Sequence, residues 1–518
     1  MHRRVIRILQ RKAAIIDIGS NTTRLVIFES AGNGKGFKEV ENIKSPTRLR
    51  SYLDDQNIVS DKGIVLLIGI LQRFQTIIQH SEIEEVYVVA TATIRQARNG
   101  SDIIQRVKEE IGLEITLLSD YEEAYFGFLG VIHSLDIDEG LTVDMGGGST
   151  EITYFKNRKL VEYISLPFGS LSLKHLFVKG DIPTEEEMTK ICQYISKQFQ
   201  ALPWLVDRQV PIFAMGGSAR NMAQIHQEFI HYPLVGLDQY EMNYSDMEMV
   251  KNQVAPLTYP DLLQLDGLSK DRVDTIIPAI EALYMLCEYT KAPSFILSRY
   301  GLREGLLYSK WNLPDMSYST RMDENIGAIA QEYAIDLKKG SKRARIADLL
   351  IQQVDEIFQD EYKLEPEDFA LLSRSANIYL FGKNRKEEAS PFTFSLLANR
   401  PIIGLSHKER VKYALVASYK SKGTFREYSY PFRNWFTKEE RKKLCLLGAL
   451  LIMSQCLTRT EREIVENITI SLNDNVLKMK ISCNGFYALE QYHLEREKKH
   501  LEKLLKVRIE PVFQSMNK

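Results

Sequence analysis

The 518-residue sequence has few cysteines and no long apolar run. Its five cysteines are an odd number and form no Cys-x-x-Cys pair, which argues against a disulfide framework or a zinc site and favours a reducing compartment. No apolar stretch approaches the roughly 18–20 residues that a membrane-spanning helix needs. An apolar fraction of 44% argues against a disordered chain. The length suits about three or four domains with cores of their own.

The first residues, MHRRVIRILQRK, are basic and amphipathic but lack the apolar core of a signal peptide. An organelle-targeting segment and a membrane-touching helix are two interpretations of this stretch. A solvated tail before the first strand is the favoured one. We therefore expect a cytoplasmic protein without a membrane partner.

Positive charge is concentrated in one part of a nearly neutral chain. Lys and Arg number 67 against 68 Asp and Glu overall, whereas residues 371–460 contain 17 against 6. Such a block, with Tyr and Phe interleaved, fits a surface that contacts a polyanion. It fits a helical domain with solvated lysines equally well. No nucleic-acid-binding motif accompanies the block, so nucleic acid is not an expected partner.

One α/β pattern occurs twice in the first half of the chain. Residues 14–30, AIIDIGSNTTRLVIFES, predict a strand, a tight turn and a second strand. Residues 141–155, LTVDMGGGSTEITYF, repeat this pattern, with Asp144 in the place of Asp17. A third stretch, PIFAMGGSARNMA, predicts a strand that ends at a glycine pair before a helix. The repeat indicates one α/β unit used twice rather than a solenoid.

The two turns that follow Asp17 and Asp144 are the strongest chemical feature. Backbone amides of a glycine-rich turn can converge on phosphate oxygens, and side chains would block that approach. The two carboxylates can hold a divalent cation directly or through water. The residues expected to bind phosphate at these turns and at the third glycine pair are Gly19, Ser20, Asn21, Gly146, Gly147, Gly148, Ser149, Gly217 and Ser218.

Seven segments, in order over about the first 310 residues, resemble the exopolyphosphatase/guanosine pentaphosphatase (Ppx/GppA) family of the actin-like ATPase superfamily. They are DIGSNTTRLVIFE, VATATIRQARNG, LLSDYEEAYFG, VDMGGGSTEI, LPFGSLSL, AMGGSARNMA and SRYGLREGLL. Glycine-rich turns alone do not discriminate between families, whereas ATATxRxAxN and GLREGLL do.

The resemblance implies an α/β fold of two ribonuclease H-like (actin-like) domains. A mainly helical domain should follow, similar to the HD phosphohydrolases but without their His-Asp pair, because Tyr379 and Leu380 stand in the corresponding positions. A small α+β appendage is expected at the C-terminus, and a homodimer is the expected assembly. The expected domains are 1–127, 128–312, 313–460 and 461–518.

The resemblance also implies roles for single residues. Glu123, the second Glu of SDYEEA, matches the base that activates water, on a helix for which Asp120 is the expected N-cap. In the mechanism that this implies, Asp144 is a catalytic residue expected to bind Mg²⁺ or another divalent cation, Asp17 is the second candidate ligand, and K⁺ is a further candidate cofactor. Arg95, in VATATIRQARNG, is placed to contact a phosphate oxygen.

Exopolyphosphatase activity, the release of terminal orthophosphate from inorganic polyphosphate, is the favoured function, and hydrolysis of guanosine pentaphosphate is the alternative. A third interpretation, a nucleotide-binding actin-like protein without hydrolysis, needs a nucleoside pocket near Gly216–Gly217. Arg303 and Glu304 are expected to form ion pairs with a structural role. The cations expected to line a channel for a long polyphosphate are Lys383, Arg385, Lys386, Arg400, Lys408, Arg410, Lys412, Lys420, Lys422, Arg426 and Arg433.

Overall fold

The computed structural model describes residues 11–30, 36–381 and 388–516. The chain divides into two compact units. Unit 1 runs to Met316, apart from Pro233–Gly236, which groups with unit 2. The N-terminal tail predicted above lies outside the described residues, except for its last two.

The first half of unit 1 is built on a mixed five-stranded sheet. Its elements are β1 (Lys12–Ile18), β2 (Thr22–Ser30), β3 (Phe37–Pro46), a 3₁₀ turn (Leu49–Tyr52), α1 (Asp61–His80), β4 (Glu85–Ala90), α2 (Ala92–Gln96), α3 (Gly100–Ile111), β5 (Ile115–Leu117) and α4 (Asp120–Ser134). Strands β1, β2 and β3 are antiparallel neighbours, whereas β4 and β5 join in parallel. The strand order is therefore β3-β2-β1-β4-β5. We call this sheet with α1–α3 lobe I.

The second half of unit 1 repeats this topology. Its elements are β6 (Glu139–Met145), β7 (Thr150–Lys156), β8 (Lys159–Leu166), α5 (Ser170–Phe177), α6 (Glu185–Gln200), a 3₁₀ turn (Pro203–Leu205), β9 (Ile212–Met215), α7 (Gly216–Phe229), β10 (Glu241–Met242), α8 (Tyr244–Val254), α9 (Tyr259–Gln264), a 3₁₀ turn (Lys270–Arg272), α10 (Ile276–Thr290), β11 (Phe295–Leu297) and α11 (Leu302–Trp311). The strand order β10-β11-β9-β6-β7-β8 has the antiparallel trio and the parallel neighbours of the first sheet. The predicted duplication is confirmed. We call this sheet with α5–α10 lobe II.

Helices α4 and α11 lie between the two sheets. Alternate residues of β1 face opposite sides, so Ala14 and Ile16 pack in the core with α1 and α3, whereas Ala13 and Ile15 pack with α4 and α11. Helix α4 also reaches the second sheet, where Phe128 joins a core cluster with residues of β7 and β9. The outer face of that sheet is covered by α6, α7, α8 and α10. The first turn of α4 is thereby held between the two lobes.

Helix α4 begins one residue earlier than predicted, because Ser119 and not Asp120 is its N-cap. The Ser119 hydroxyl accepts from the Glu122 N–H at 3.2 Å, and the Glu122 carboxylate accepts from the Ser119 N–H at 2.9 Å. This reciprocal box satisfies two backbone donors that a helix terminus otherwise leaves open. Glu122 is therefore committed to the cap, which leaves Glu123 as the acid that can face the interior.

Unit 2 is helical for most of its length and ends in a small sheet. Its elements are α12 (Tyr318–Glu332), α13 (Leu337–Tyr362), α14 (Pro366–Asn377), α15 (Ala389–Asn399), α16 (His407–Ala417), α17 (Lys422–Ser429), a 3₁₀ turn (Tyr430–Phe432), α18 (Lys438–Leu457), β12 (Val465–Asn473), β13 (Val476–Cys483), α19 (Ala488–Glu497), α20 (Lys499–Leu505) and β14 (Arg508–Ser515). Strand β13 pairs antiparallel with β12 and parallel with β14. The Tyr379 hydroxyl donates to the carbonyl of Tyr419 at 2.8 Å. The likeness to HD phosphohydrolases and the four domain boundaries stay predictions.

Across the described ranges, no helix combines the length and the apolar character that crossing a bilayer requires.

Helices α4 and α11 cross so closely that a Cβ at Gly305 would overlap the carbonyl oxygen of Phe126. Gly305→Ala should therefore force the helices apart and lower the free energy of unfolding of unit 1 by about 1–3 kcal/mol. Differential scanning calorimetry measures the effect. The control is Gly69→Ala in α1, where a Cβ meets no atom within 4 Å and should be neutral or slightly stabilising. Equal effects of the two substitutions would contradict the close crossing.

Candidate functional site

The turns of the β1–β2 and β6–β7 hairpins lie against each other in unit 1. A Cβ at Gly148 would stand 2.7 Å from the Ser20 hydroxyl, and one at Gly147 would stand 3.3 Å from the backbone nitrogen of Asn21. A side chain at Gly147 or Gly148 would therefore crowd the first turn, so these two glycines favour the close contact between the lobes as well as access for a phosphate. All nine residues predicted to bind phosphate belong to these turns or to the start of α7, and eight of them line one cleft, Ser218 being the exception.

Four carboxylates line this cleft: Asp17, Glu123, Asp144 and Glu151. Burial raises the pKa of Asp144 to about 6, and repulsion by Asp17 adds to the effect. Burial likewise raises the pKa of Glu151 to about 7, with repulsion by Asp144 as the next cause. Burial also raises the pKa of Asp17, although Arg303 counteracts it. Burial and mutual repulsion therefore disfavour the ionised form of these acids, and a bound cation would relieve that cost.

Glu151 is a site residue that the sequence analysis does not identify. It pairs directly across the β6–β7 hairpin with Asp144, as Arg24 pairs across β1–β2 with Asp17. Its carboxylate accepts from the Ser165 hydroxyl at 2.8 Å. Aligning the two repeats on their aspartates would have found the position, because the same spacing leads to Arg24 in one turn and Glu151 in the other.

Glu123 lies in the first turn of α4, and only 12% of its side chain is exposed. Burial and then repulsion by Glu151 raise the pKa of Glu123 well above its usual range, although Arg95 counteracts them. A carboxylate in this environment can accept a proton near neutral pH and is held in one orientation. The acid that the resemblance singles out is thus in the same cleft as both turns.

Arg95 contacts Glu123 in this structure. Its Nη1 donates to Glu123 at 2.9 Å and to the carbonyl of Leu118 at 2.8 Å, and its Nη2 lies 2.5 Å from Asp120. The guanidinium therefore holds Glu123 through Nη1, while Nη2 pairs with Asp120 at the start of the same helix. Contact between Arg95 and a phosphate oxygen stays a prediction.

Five arginines line the cleft, and the sequence analysis assigns none of them to the site: Arg24, Arg220, Arg272, Arg299 and Arg303. Burial lowers the pKa of Arg24 to about 10, with repulsion by Arg303 as the next cause. Burial also lowers the pKa of Arg220 and of Arg272. Cations that are partly stripped of water and crowded together gain strongly from a bound polyanion.

Arg303 lies beside Asp17 rather than serving only a structural ion pair. Its Nε is 4.0 Å from the Asp17 carboxylate, and its Nη1 is buried without a hydrogen-bond partner. Glu304 instead accepts from the Gly301 N–H at 2.9 Å and caps α11. Glu304 is therefore accounted for by the start of α11, whereas Arg303 lines the cleft and has one buried donor without a partner.

Arg272 occupies the glycine turn at the start of α7. Its Nη1 donates to the Ser218 hydroxyl at 3.3 Å, and its guanidinium lies where a Cβ of Gly217 would be. The guanidinium of Arg272 thus packs directly on Gly217. The sequence signal for this contact is absent, since Arg272 lies outside every recognised segment.

The acids of the cleft fit a hard divalent cation that takes few protein ligands. Within the described part of the chain, no group of three His, Cys, Asp or Glu could hold a metal ion. Mg²⁺ commonly binds through one or two carboxylates and completes its shell with water and phosphate oxygens. Asp144 repels both Asp17 and Glu151, and a cation near it would relieve that repulsion. The roles of Asp144 and Asp17 as ligands, and any role of K⁺, stay predictions.

The basic block of unit 2 is less available than its composition indicates. Arg410 does not line a channel, because it is only 1% exposed and donates to the carbonyl of Arg400 at 3.0 Å. Lys408 lies 2.9 Å and Lys412 3.7 Å from Glu440. The predicted channel residues Lys383, Arg385 and Lys386 lie outside the described residues.

The chain is similar to known proteins in sequence and in structure. A family model described as "Ppx/GppA phosphatase family" matches residues 26–313. The guanosine-5'-triphosphate,3'-diphosphate pyrophosphatase of Pseudoalteromonas translucida (strain TAC 125) is 24% identical over 506 residues, which cover 95% of this chain and 96% of the relative. The crystal structure of the Aquifex aeolicus Ppx/GppA family member is 27% identical over 60% of this chain and 100% of that one, with a TM-score of 0.51. An exopolyphosphatase from Cytophaga hutchinsonii is 20% identical over 58% of this chain and 98% of that one, with a TM-score of 0.55, which concerns the fold alone.

The raised pKa of Glu151 predicts a pH-dependent stability. Between its ordinary pKa of 4.5 and about 7, the folded protein keeps a proton that the unfolded chain has lost, so the free energy of unfolding falls as pH rises through this window. Glu151→Gln should therefore match the wild type near pH 4.5 and exceed it at pH 8 by up to about 3 kcal/mol. Calorimetry without divalent cations at the two pH values measures this difference. The control Glu162→Gln, an exposed acid on β8, should match the wild type at both, and an equal gain for Glu151→Gln at both would contradict the assignment.

Proposed function

Because the chain belongs to the Ppx/GppA phosphatase family, we propose that it releases terminal orthophosphate from inorganic polyphosphate by attack of water. One observation carries the proposal: two backbone-amide turns, buried acids and a set of arginines converge in a single cleft. Phosphoryl transfer needs little covalent help from a protein, so positioning and charge supply most of the catalysis. The cleft offers both.

The amide turns Gly19–Asn21 and Gly146–Ser149 would hold the terminal phosphates from the two lobes. Arg24, Arg272 and Arg303 line the cleft and would neutralise charge on the phosphates, and Arg303 has one donor without a partner in the protein. Backbone amides and guanidinium groups both favour oxyanions over neutral ligands. Substrate binding would thus be directed by charge and by the depth of the cleft.

Glu123 would accept a proton from the attacking water. The new P–O bond forms to the water oxygen while the anhydride P–O bond breaks, and the products are orthophosphate and a chain shorter by one phosphate. Arg95 would hold Glu123 in its orientation during this step, as it does in the structure. A base of this kind typically contributes about 10²–10⁴-fold to the rate. Glu123 acts only while ionised, so its raised pKa would set the acid limb of the activity.

Asp144 would be the main protein ligand of a divalent cation, with Asp17 or Glu151 as the second carboxylate. When bound, Mg²⁺ would neutralise negative charge on the transferred phosphoryl group. The proximity of Asp144 to its acidic neighbours supports this assignment, because an ionised acid pair in a buried site needs a counter-ion.

Polyphosphate is favoured over a nucleotide because the cleft offers little for a base to contact. Arg272 covers the Gly217 turn, where a nucleotide-binding relative would need a nucleoside pocket. Among the described lining residues, the single aromatic side chain is Tyr300, and it stacks on Phe37 with ring centroids 5.8 Å apart. A nucleotide-binding role without hydrolysis is correspondingly disfavoured.

Hydrolysis of guanosine pentaphosphate is the second candidate. The relative from Pseudoalteromonas translucida, which spans 95% of this chain, is named for that class of substrate. Both substrates end in a phosphoric anhydride, so the same residues could act on either. What separates them is the remainder of the substrate, which is a polyanion in one case and a nucleoside in the other.

Glu123→Gln should lower the rate of orthophosphate release from polyphosphate by about 10²–10⁴-fold, because the amide cannot accept the proton. Binding of the chain should persist. Orthophosphate assays and equilibrium binding measure the two quantities. Glu122→Gln is the matched control, since glutamine also serves in the capping box, and it should remain active. Normal turnover by Glu123→Gln would remove Glu123 from the role of base.

Long polyphosphate should be hydrolysed faster than guanosine pentaphosphate when the two are compared at equal concentrations of chain ends. The KM for polyphosphate should also rise with salt, since arginine contacts to a polyanion are screened. Initial rates for both substrates at two salt concentrations test this. Faster turnover of guanosine pentaphosphate would favour the second candidate.

A further inference from the structure

A group of ion pairs joins the two lobes beside the cleft. From lobe I, Lys44 lies 2.7 Å from Asp271 and Arg48 lies 2.7 Å from Asp274. Arg48 also donates to the backbone carbonyl of Asp271 at 3.1 Å. Within lobe II, Lys174 of α5 lies 2.8 Å from Asp274. We call these five residues the clasp.

The lobe I side of the clasp is bonded directly to the first phosphate turn. The backbone N–H groups of Thr47 and Arg48 both donate to the carbonyl of Asn21, at 3.1 and 2.8 Å, and that of Arg50 donates to Ser20 at 3.1 Å. Arg48 has a φ of 44°, a left-handed conformation that a non-glycine residue adopts only when its surroundings hold it there. A shift in the backbone of Arg48 would therefore be passed directly to the first phosphate turn through the hydrogen bond to the carbonyl of Asn21.

The lobe II side of the clasp leads to Arg272 and to the second turn. Arg272 lies between the two clasp acids in sequence, and its guanidinium rests on Gly217 inside the cleft. Helix α5, which carries Lys174, begins with N–H groups that donate to the carbonyls of the second turn, that of Ser170 to Gly146 at 3.0 Å. The two hairpin turns, and Arg272 at the Gly217 turn, are thus each bonded or joined in sequence to segments that the clasp connects.

Both clasp acids are ionised over the working pH range. Burial raises the pKa of Asp274, but the hydrogen bonds and charges of Arg48 and Lys174 together outweigh it and leave that pKa lowered. Burial also raises the pKa of Asp271, but the hydrogen bond and charge of Lys44, together with the charge of Arg272, outweigh it and leave that pKa lowered. The attraction between the lobes therefore does not depend on pH near neutrality.

We infer that the clasp is a positioning device that sets the two amide turns and Arg272 at the spacing that a phosphate chain requires. Asp271 and Asp274 would act through Arg48 and Arg272, without contact to the substrate. The kinetic part of the inference rests on the proposed function, whereas the contact between the lobes does not. A clasp of this kind should affect the capture of substrate more than the chemical step.

A charge swap tests the clasp. Lys44→Glu and Asp271→Lys should each raise the KM for polyphosphate about ten-fold with a smaller change in kcat, because each puts like charges together across the lobes. The double variant restores an ion pair and should return the KM close to that of the wild type. The control is Lys251→Glu, which breaks the comparable Lys251–Glu281 pair at 3.5 Å on α8 and α10 and should leave the KM unchanged.

Hydrogen exchange provides a readout that needs no activity. The amides of residues 47–50 should exchange faster in both single variants and at the wild-type rate in the swap. Gly217→Ala should raise the KM by displacing Arg272 while exchange at 47–50 stays normal. Unchanged exchange in the single variants, or a swap that fails to restore both quantities, would overturn the clasp. Absence of phosphate release from either substrate by the wild type would overturn the proposed function instead, and exchange would still decide the clasp.

Discussion

Contact between the turns of two hairpins is the constraint from which the rest of the site follows. Gly147 and Gly148 leave room for Ser20 and Asn21, and a side chain on either glycine would crowd that contact. Helices α4 and α11 fill the space between the two sheets, so the cleft lies at the edge where the turns meet. Residues of both turns and of the first turn of α4 therefore line one small volume.

Burial acts in opposite directions on the acids and the bases of that volume. It raises the pKa of Asp144 and Glu151 and lowers that of Arg24 and Arg272, so each charged group is less stable than in water. A polyanion would offset the arginines, and a divalent cation would offset the acids. The proposed phosphoryl transfer would use this cost, because preorganised charges in a buried site stabilise a charged transition state more strongly than charges in water do.

The duplicated hairpin divides the chemistry unequally between the lobes. Arg24 and Glu151 hold equivalent positions opposite Asp17 and Asp144, so one hairpin presents a cation where the other presents an acid. Glu123 belongs to neither hairpin and is carried by the helix between the sheets. The topology is duplicated in this protein, whereas the side chains at these matching positions differ in charge.

Local patterns in the sequence determined the two strand-turn-strand units, the glycine turns and their aspartates, because backbone sterics and side-chain alternation act between near neighbours. The ordered family segments led to Glu123. Only the tertiary structure decided that Glu122 caps α4 while Glu123 turns inward, since Ser119 takes one acid and the packing of α4 buries the other. The position of Arg272 in the cleft is likewise determined only by the tertiary structure. Its contact with Gly217 joins segments far apart in the chain, and no short-range rule relates such segments before the lobes pack.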